Sequence, residues 1–121
     1  MNRLQRRGRW GEKVAARYLA ARGYRILARN VRTPYGELDL IAQQGDEVVF
    51  VEVKTRTSLA FGWPEEGVTG RKLRHLAAAA QAWLGDHPNV GAVWRVDVIA
   101  VLVQPGRETV QIRHYEDVLG L

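Results

Sequence analysis

Near the middle of the chain, Glu52 and Lys54 place an acid and an amine inside Val48 to Arg56 (VVFVEVKTR), a run that otherwise reads as a strand apolar on both faces. Strand side chains alternate, so Val48, Phe50, Glu52 and Lys54 share one face while Val49, Val51 and Val53 share the other. One face is therefore dry at its start and charged at its end. Charges there lose hydration, a cost met only by partners: each other, another carboxylate, a metal ion or a substrate phosphate. A purely structural Glu–Lys pair at a strand end meets the same requirement. The surrounding residues decide between the two.

Two further acids stand in apolar company. In Glu37 to Gln43 (ELDLIAQ), a second strand puts Glu37, Asp39 and Ile41 on one face and Leu38, Leu40 and Ala42 on the other. Glu37 reads equally as a solvated residue at the strand entrance. Glu12 falls on a helix predicted from about Arg6 to Arg22, roughly 20° from Leu19 and so at the border of its buried arc. The alternative for Glu12 is a first-turn acid favoured by the helix dipole. Three carboxylates converging in a half-buried pocket repel one another, and a divalent cation removes that conflict. Oxygen ligands without histidine or cysteine suit Mg²⁺ or Mn²⁺ rather than zinc, with Glu12, Asp39 and Glu52 as the expected metal ligands. Because Mg²⁺ accepts phosphate oxygens beside its waters, the set suits phosphodiester hydrolysis. Lys54 then positions the attacking water or stabilises charge on the phosphate oxygens.

Composition bounds the rest. A chain of 121 residues, 46% of them hydrophobic, is expected to form one domain over residues 1–121 with one core. With no cysteine, disulfides and thiolate metal sites are excluded, which fits a reducing compartment. No long apolar run follows the basic N-terminus, so neither a signal peptide nor a membrane span is expected, and the protein reads as cytoplasmic. Of the formal net charge of +5, residues 1–32 carry ten Lys or Arg against Glu12 alone. The remainder holds eight against twelve acids. A basic end beside an acidic remainder suits a polyanion-binding surface next to a carboxylate cluster, or else a solvated helix face with a basic tail.

The elements that must position these residues follow in order. On the first helix, Trp10, Val14, Ala15, Tyr18, Leu19 and Ala21 make the apolar arc, and Gly23 closes it. Tyr24 to Val31 is a strand; a Pro34-Tyr35-Gly36 turn leads to the second; Gln43 to Glu47 makes a hairpin into the third. Thr57 to Gly67, with Phe61 and Trp63, is a loop. Thr69 caps a helix from Arg71 to Leu84, with Leu73, Leu76, Ala77, Ala80, Trp83 and Leu84 buried. Arg71, Lys72, Arg74 and His75 in its first two turns oppose the dipole, which either a nearby anion or an ordinary solvated turn accounts for. Ala92 to Val103 should run parallel to the third strand after the helical crossover. Pro105-Gly106 turns into a last strand, Glu108 to His114, followed by a short terminal helix. Asp97 either orients Lys54 or pairs with Arg95. His75, His87 and His114 have no ligand spacing.

Taken together, G-E-x-x-A (Gly11 to Ala15), G-Y-x-I-L-x-x-N (Gly23 to Asn30), G-E-L-D-L-I-A (Gly36 to Ala42), F-V-E-V-K-x-R (Phe50 to Arg56) and R-V-D-V (Arg95 to Val98) resemble the YraN-like family of small bacterial proteins. That family is similar to the archaeal Holliday-junction resolvases and the PD-(D/E)xK nucleases. The resemblance implies an α/β, restriction-endonuclease-like fold: a mixed central sheet of about five strands flanked by helices, in the order α-β-β-β-α-β-β. It matches Asp39, Glu52 and Lys54 to the catalytic motif and Glu12 to the resolvases' helix acid; Leu38 stands where the motif has proline.

The expected function is Mg²⁺- or Mn²⁺-dependent endonucleolytic cleavage of DNA, branched or structured, by a homodimer. Arg3, Arg6, Arg7, Arg9, Arg56, Arg71, Lys72 and Arg74 are the expected phosphate-binding cations. The alternative is a nucleic-acid-binding module that keeps the fold without turnover. A third reading is a protein-interaction domain using the Phe61–Trp63 loop.

Overall fold

The computed structural model describes residues 2–57, 69–91, 93–103 and 109–120. The expected Phe61–Trp63 loop and the Pro105-Gly106 turn lie outside the described residues. The elements are α1 (Arg3–Ala21), β1 (Arg25–Thr33), β2 (Gly36–Gln44), β3 (Glu47–Arg56), α2 (Gly70–Asp86), β4 (Val93–Val103) and β5 (Val110–Tyr115), the order expected from the sequence. All five strands join one mixed sheet in the order β1-β2-β3-β4-β5. Only β3 and β4 are parallel, because α2 carries the chain back between them.

Each helix covers one face of the sheet. Under α1, Ala15, Leu19 and Tyr24 pack on Leu40, Ala42, Val49, Val51, Ile99 and Val101. Under α2, Leu76, Ala79, Ala80 and Trp83 pack on Ile41, Val48, Phe50 and Val96. The alternation of β3 is thus realised: its odd-numbered valines face α1, and Val48 and Phe50 face α2. Among the described residues no helix is long and apolar enough to cross a membrane.

Several local expectations are corrected. Helix α1 begins earlier than Arg6, because Asn2 and Gln5 form a reciprocal cap: the Asn2 side chain accepts from the Gln5 amide at 2.8 Å, and the Gln5 side chain accepts from the Asn2 amide at 2.9 Å. Glu12 therefore lies well beyond the first turn, and the dipole no longer accounts for it. At the other end Gly23 adopts φ 88, and the Gly23 and Tyr24 amides reach back to the Ala20 and Leu19 carbonyls.

The buried face of α1 is Gly11, Ala15, Ala16 and Leu19, with Trp10 40% exposed and Ala21 exposed, so the expected arc is rotated. Gly11 goes with this rotation: a Cβ there would sit 1.8 Å from Thr55 Oγ1, so the helix meets β3 closely at a position that has no side chain. A second correction concerns Leu38, which packs with the α2-side cluster rather than with Leu40 and Ala42. It pairs with Val31, next to Asn30, whose φ of 52 breaks the regular alternation of β1. Finally, residues 116–120 form a turn instead of a helix, tied down by the Val118 amide on the Val96 carbonyl at 2.8 Å.

Candidate functional site

The strand pairing between β2 and β3 stops at Leu40 opposite Val51. Beyond it, the Asp39 side chain takes over from the backbone, with Oδ2 accepting a hydrogen bond from the Val53 amide at 2.8 Å. The two strands part there, and α1 lies across the opening, seated by Gly11 on Thr55. The next residue on the helix is Glu12. The result is a cavity of about 340 Å³ whose lining includes Glu12, Asp39, Glu52 and Lys54, together with Arg7, Thr55 and Arg56. Helix and strands thus bring the four expected catalytic residues to one pocket.

Within it, Glu52 is the most enclosed group, with a side chain only 5% exposed. Its Oε1 lies 3.4 Å from Lys54 Nζ and 3.4 Å from Lys72 Nζ, while Oε2 is buried with no hydrogen-bond partner. A buried carboxylate oxygen without a donor is a standing cost. Asp39 carries a related one. Burial and then the charge of Glu52 push its pKa up to about 7, against the Val53 hydrogen bond, with Glu12 adding to the rise and Lys72 opposing it. Glu12 is also raised, first by burial; a side-chain hydrogen bond from Asn30 and the charges of Arg9 and Arg29 oppose this, while Glu37 adds to it.

These acids share a field more than a coordination sphere. Among the described residues, the histidine and acid set whose ligand atoms all lie within 4.8 Å of one another is Asp97, His114 and Glu116, not the pocket acids. That set already holds a cation. Arg95 donates to both Asp97 oxygens, at 2.9 and 3.2 Å, and lies 3.7 Å from Glu116; it also pairs with Glu47 and donates to Tyr24 Oη at 2.6 Å. His114 Nε2 lies 2.7 Å from the fully buried Asp97, and the Asp117 amide donates to it at 3.0 Å. Asp97 therefore pairs with Arg95, the second of its two expected roles, and braces β4 and β5 rather than orienting Lys54.

Asp39 and Glu52 nevertheless offer the oxygen donors that a hard divalent cation takes. An orphaned buried oxygen on Glu52 and an anion disfavoured at Asp39 are two features that such an ion would offset. Mg²⁺ commonly needs only one or two carboxylates, its remaining positions being filled by water and phosphate. Asp39 and Glu52 would serve as ligands from the strands, with Glu12 behind them on α1.

Of the expected phosphate-binding cations, Arg7 and Arg56 line the pocket, whereas Arg3, Arg6 and Arg9 on α1 and Arg71 and Arg74 on α2 are exposed. Lys72 instead reaches Glu52. Sequence reasoning missed three participants. Asn30 could have been suspected from its type, since asparagine tolerates the left-handed conformation; Thr55 and Gly11 carry no signal of their contact.

A family model described as "Uncharacterised protein family UPF0102", corresponding to the YraN-like family, matches residues 11–101. Among curated relatives, a UPF0102 protein of Syntrophomonas wolfei is 48% identical over 103 residues, 85% of this chain and 90% of the relative. One of Beutenbergia cavernae is 53% identical over 95 residues, 78% of this chain and 80% of that protein. The UPF0102 protein CT2262 of Chlorobaculum tepidum is 48% identical over 116 residues, 96% of this chain and 89% of its own length.

Proposed function

We propose that this chain, which belongs to the UPF0102 family, is a divalent-cation-dependent endonuclease that hydrolyses phosphodiester bonds in DNA, with branched or structured DNA as its substrate. The observation that carries the reading is the pairing of Asp39 and Glu52 in one pocket with Lys54, where Glu52 keeps a buried oxygen without a partner. The resemblance of the family's sequence motifs to those of resolvases and PD-(D/E)xK nucleases would assign the same four residues to catalysis.

Each residue has a task in that chemistry. Asp39, Glu52 and Glu12 would hold Mg²⁺ or Mn²⁺, which when bound polarises a phosphate and lowers the pKa of water. Asp39 is fixed by the Val53 amide, so its other oxygen has a defined direction. Lys54 offers an ammonium group to charge developing on the phosphate oxygens. Arg7 and Arg56 at the pocket, with Arg3, Arg6, Arg9, Arg71 and Arg74 beyond it, grip flanking phosphates. A chain of this size covers little duplex, and a homodimer would present two such pockets to a branched substrate; light scattering on the free protein and on its DNA complex tests that state.

The deciding experiment is cleavage of labelled duplex, single-stranded and four-way-junction DNA with Mg²⁺ or Mn²⁺. Cleavage by wild type and its loss in Asp39→Ala and Glu52→Ala supports the reading. No cleavage of any substrate, or equal cleavage by those variants, defeats it. The double neutralisation of Glu52 by Lys54 and Lys72 favours a second reading, a nucleic-acid-binding module without turnover. Such a module holds DNA equally well in EDTA, and Asp39→Asn leaves its affinity unchanged.

A further inference from the structure

Two lysines from different elements converge on one oxygen of Glu52. Lys54 comes from the same strand and lies in the pocket, with its side chain 22% exposed. Lys72 comes from the first turn of α2 and crosses to the strand with a side chain that is 42% exposed. Both contacts, at 3.4 Å, are longer than the 2.7–2.9 Å typical of a charge-assisted hydrogen bond, and neither amine engages the other oxygen. Glu52 is thus neutralised without being locked. Lys72 also has somewhere else to go. It lines a second, smaller cleft of about 60 Å³ between the β1–β2 turn and α2, shared with Tyr35, Glu37 and His75. Its neighbours Arg71 and Arg74 are exposed on the same two turns.

Charge balance says why the amine should move. The three pocket acids already face Lys54, Arg7 and Arg56 in the lining, with Lys72 added at Glu52. A divalent cation brings two further positive charges to a site where the amine on Glu52 opposes it, and a phosphodiester brings back negative charge. An amine held against Glu52 repels the incoming cation; the same amine released toward solvent attracts the phosphate that the loaded pocket needs.

We propose that Lys72 is an exchangeable counter-ion of Glu52: it occupies the carboxylate while the pocket lacks a divalent cation, and cation binding releases it to hold a nucleic-acid phosphate beside the pocket. This rests on the cation-binding reading above, and makes Lys72 a positioning residue that links cation and substrate binding. It differs from a plain phosphate-contact lysine in one respect: its contribution to nucleic-acid affinity exists only when the cation is bound.

The test uses the full chain and Lys72→Met, with Arg71→Met as a control and circular dichroism to confirm folding; Lys72→Gln replaces Lys72→Met if that variant is unfolded. Binding of Mn²⁺ alone is followed by electron paramagnetic resonance of the free ion. Loss of Lys72 should tighten Mn²⁺ binding about two- to fivefold, the range for removing one half-exposed ion pair, while Arg71→Met changes it less. Affinity for a labelled four-way junction is then measured in EDTA and in Ca²⁺, a hard cation that takes the same oxygen ligands. Lys72→Met should match wild type in EDTA and fall severalfold below it in Ca²⁺. Equal losses in both conditions, no loss in either, or weaker Mn²⁺ binding overturns the exchange while leaving the proposed cation site intact. Failure of wild type itself to bind Mn²⁺ removes the cation site and this inference with it.

Discussion

Asp39 Oδ2 accepts the Val53 amide at 2.8 Å, in the position where a backbone carbonyl of β2 would otherwise continue the ladder. A side chain thereby ends the pairing of two strands and is fixed at the mouth of the gap it creates. The opening and its first acid are one event. An acid used in this way is held in place by the fold whatever its charge, which makes the energetics of its ionisation separable from its position.

The first consequence is a stability that depends on pH through Asp39. Its folded pKa of about 7 lies above the ordinary value of 3.8, so the folded state binds a proton that the unfolded state releases. Stability from this group is greatest below the unfolded value and declines as pH rises toward the folded one. Asp39→Asn keeps an acceptor for the Val53 amide and removes the charge. In EDTA, urea unfolding should show Asp39→Asn near wild type at pH 4 and more stable than wild type at pH 8, by an amount on the order of a few kcal/mol at most. A variant less stable than wild type at pH 8 contradicts this.

The same proton competes with the cation. Affinity for Mn²⁺ should rise as pH increases toward about 7 and level off above it, because Asp39 must give up its proton to act as a ligand. Calorimetry in buffers of different ionisation enthalpy should detect proton release at pH 6 that disappears at pH 8. A flat profile between these values excludes Asp39 from the site.

Gly11 sets how close α1 comes to β3. Gly11→Ala brings its Cβ to 1.8 Å from Thr55 Oγ1, so helix and strand must separate, at a destabilisation of about 1–3 kcal/mol. Glu12 is displaced with the helix, and Mn²⁺ affinity should fall as well. Adding Thr55→Ala removes the clashing hydroxyl and should restore part of both losses. Unchanged thermal stability in the single variant refutes the close approach.

Asp97 titrates in the opposite sense to Asp39. Burial alone would raise its pKa, but hydrogen bonds from His114, Arg95 and the Asp117 amide outweigh burial and lower it. Its stabilisation is therefore present above the unfolded pKa and lost as pH falls through the folded one. Asp97→Ala leaves Arg95 without its main partner and should cost roughly 3–5 kcal/mol at neutral pH, with Mn²⁺ affinity preserved in the molecules that remain folded. Glu52→Gln should show the reverse: little loss of stability, and Mn²⁺ binding weakened tenfold or more. Thermal unfolding and Mn²⁺ titration of the two variants check both halves.

Much of this arrangement was legible before the structure. Alternation on β3 fixed Glu52 and Lys54 to one face, since a period of two leaves a strand no freedom, and β2 brought Asp39 beside them by a short hairpin. The helical wheel placed Glu12 at the edge of the buried arc even though that arc was rotated, because Gly11 contributes nothing to an apolarity pattern and yet decides the approach. What stayed hidden depends on tertiary geometry. Lys72 reaches Glu52 only through the angle at which α2 crosses the sheet, and His114 meets Asp97 only through the β4–β5 register. Local signals carry neither.

The order of strands in the sheet repeats their order in the chain. Because β3 precedes β4 in the chain, a sheet of β1 to β3 alone would leave Val48 to Val53 as an edge with apolar side chains on both faces. Runs of this kind invite pairing between nascent chains. Glu52 and Lys54 place charge at the far end of that run, the kind of interruption that disfavours such pairing, with the same two side chains that line the pocket.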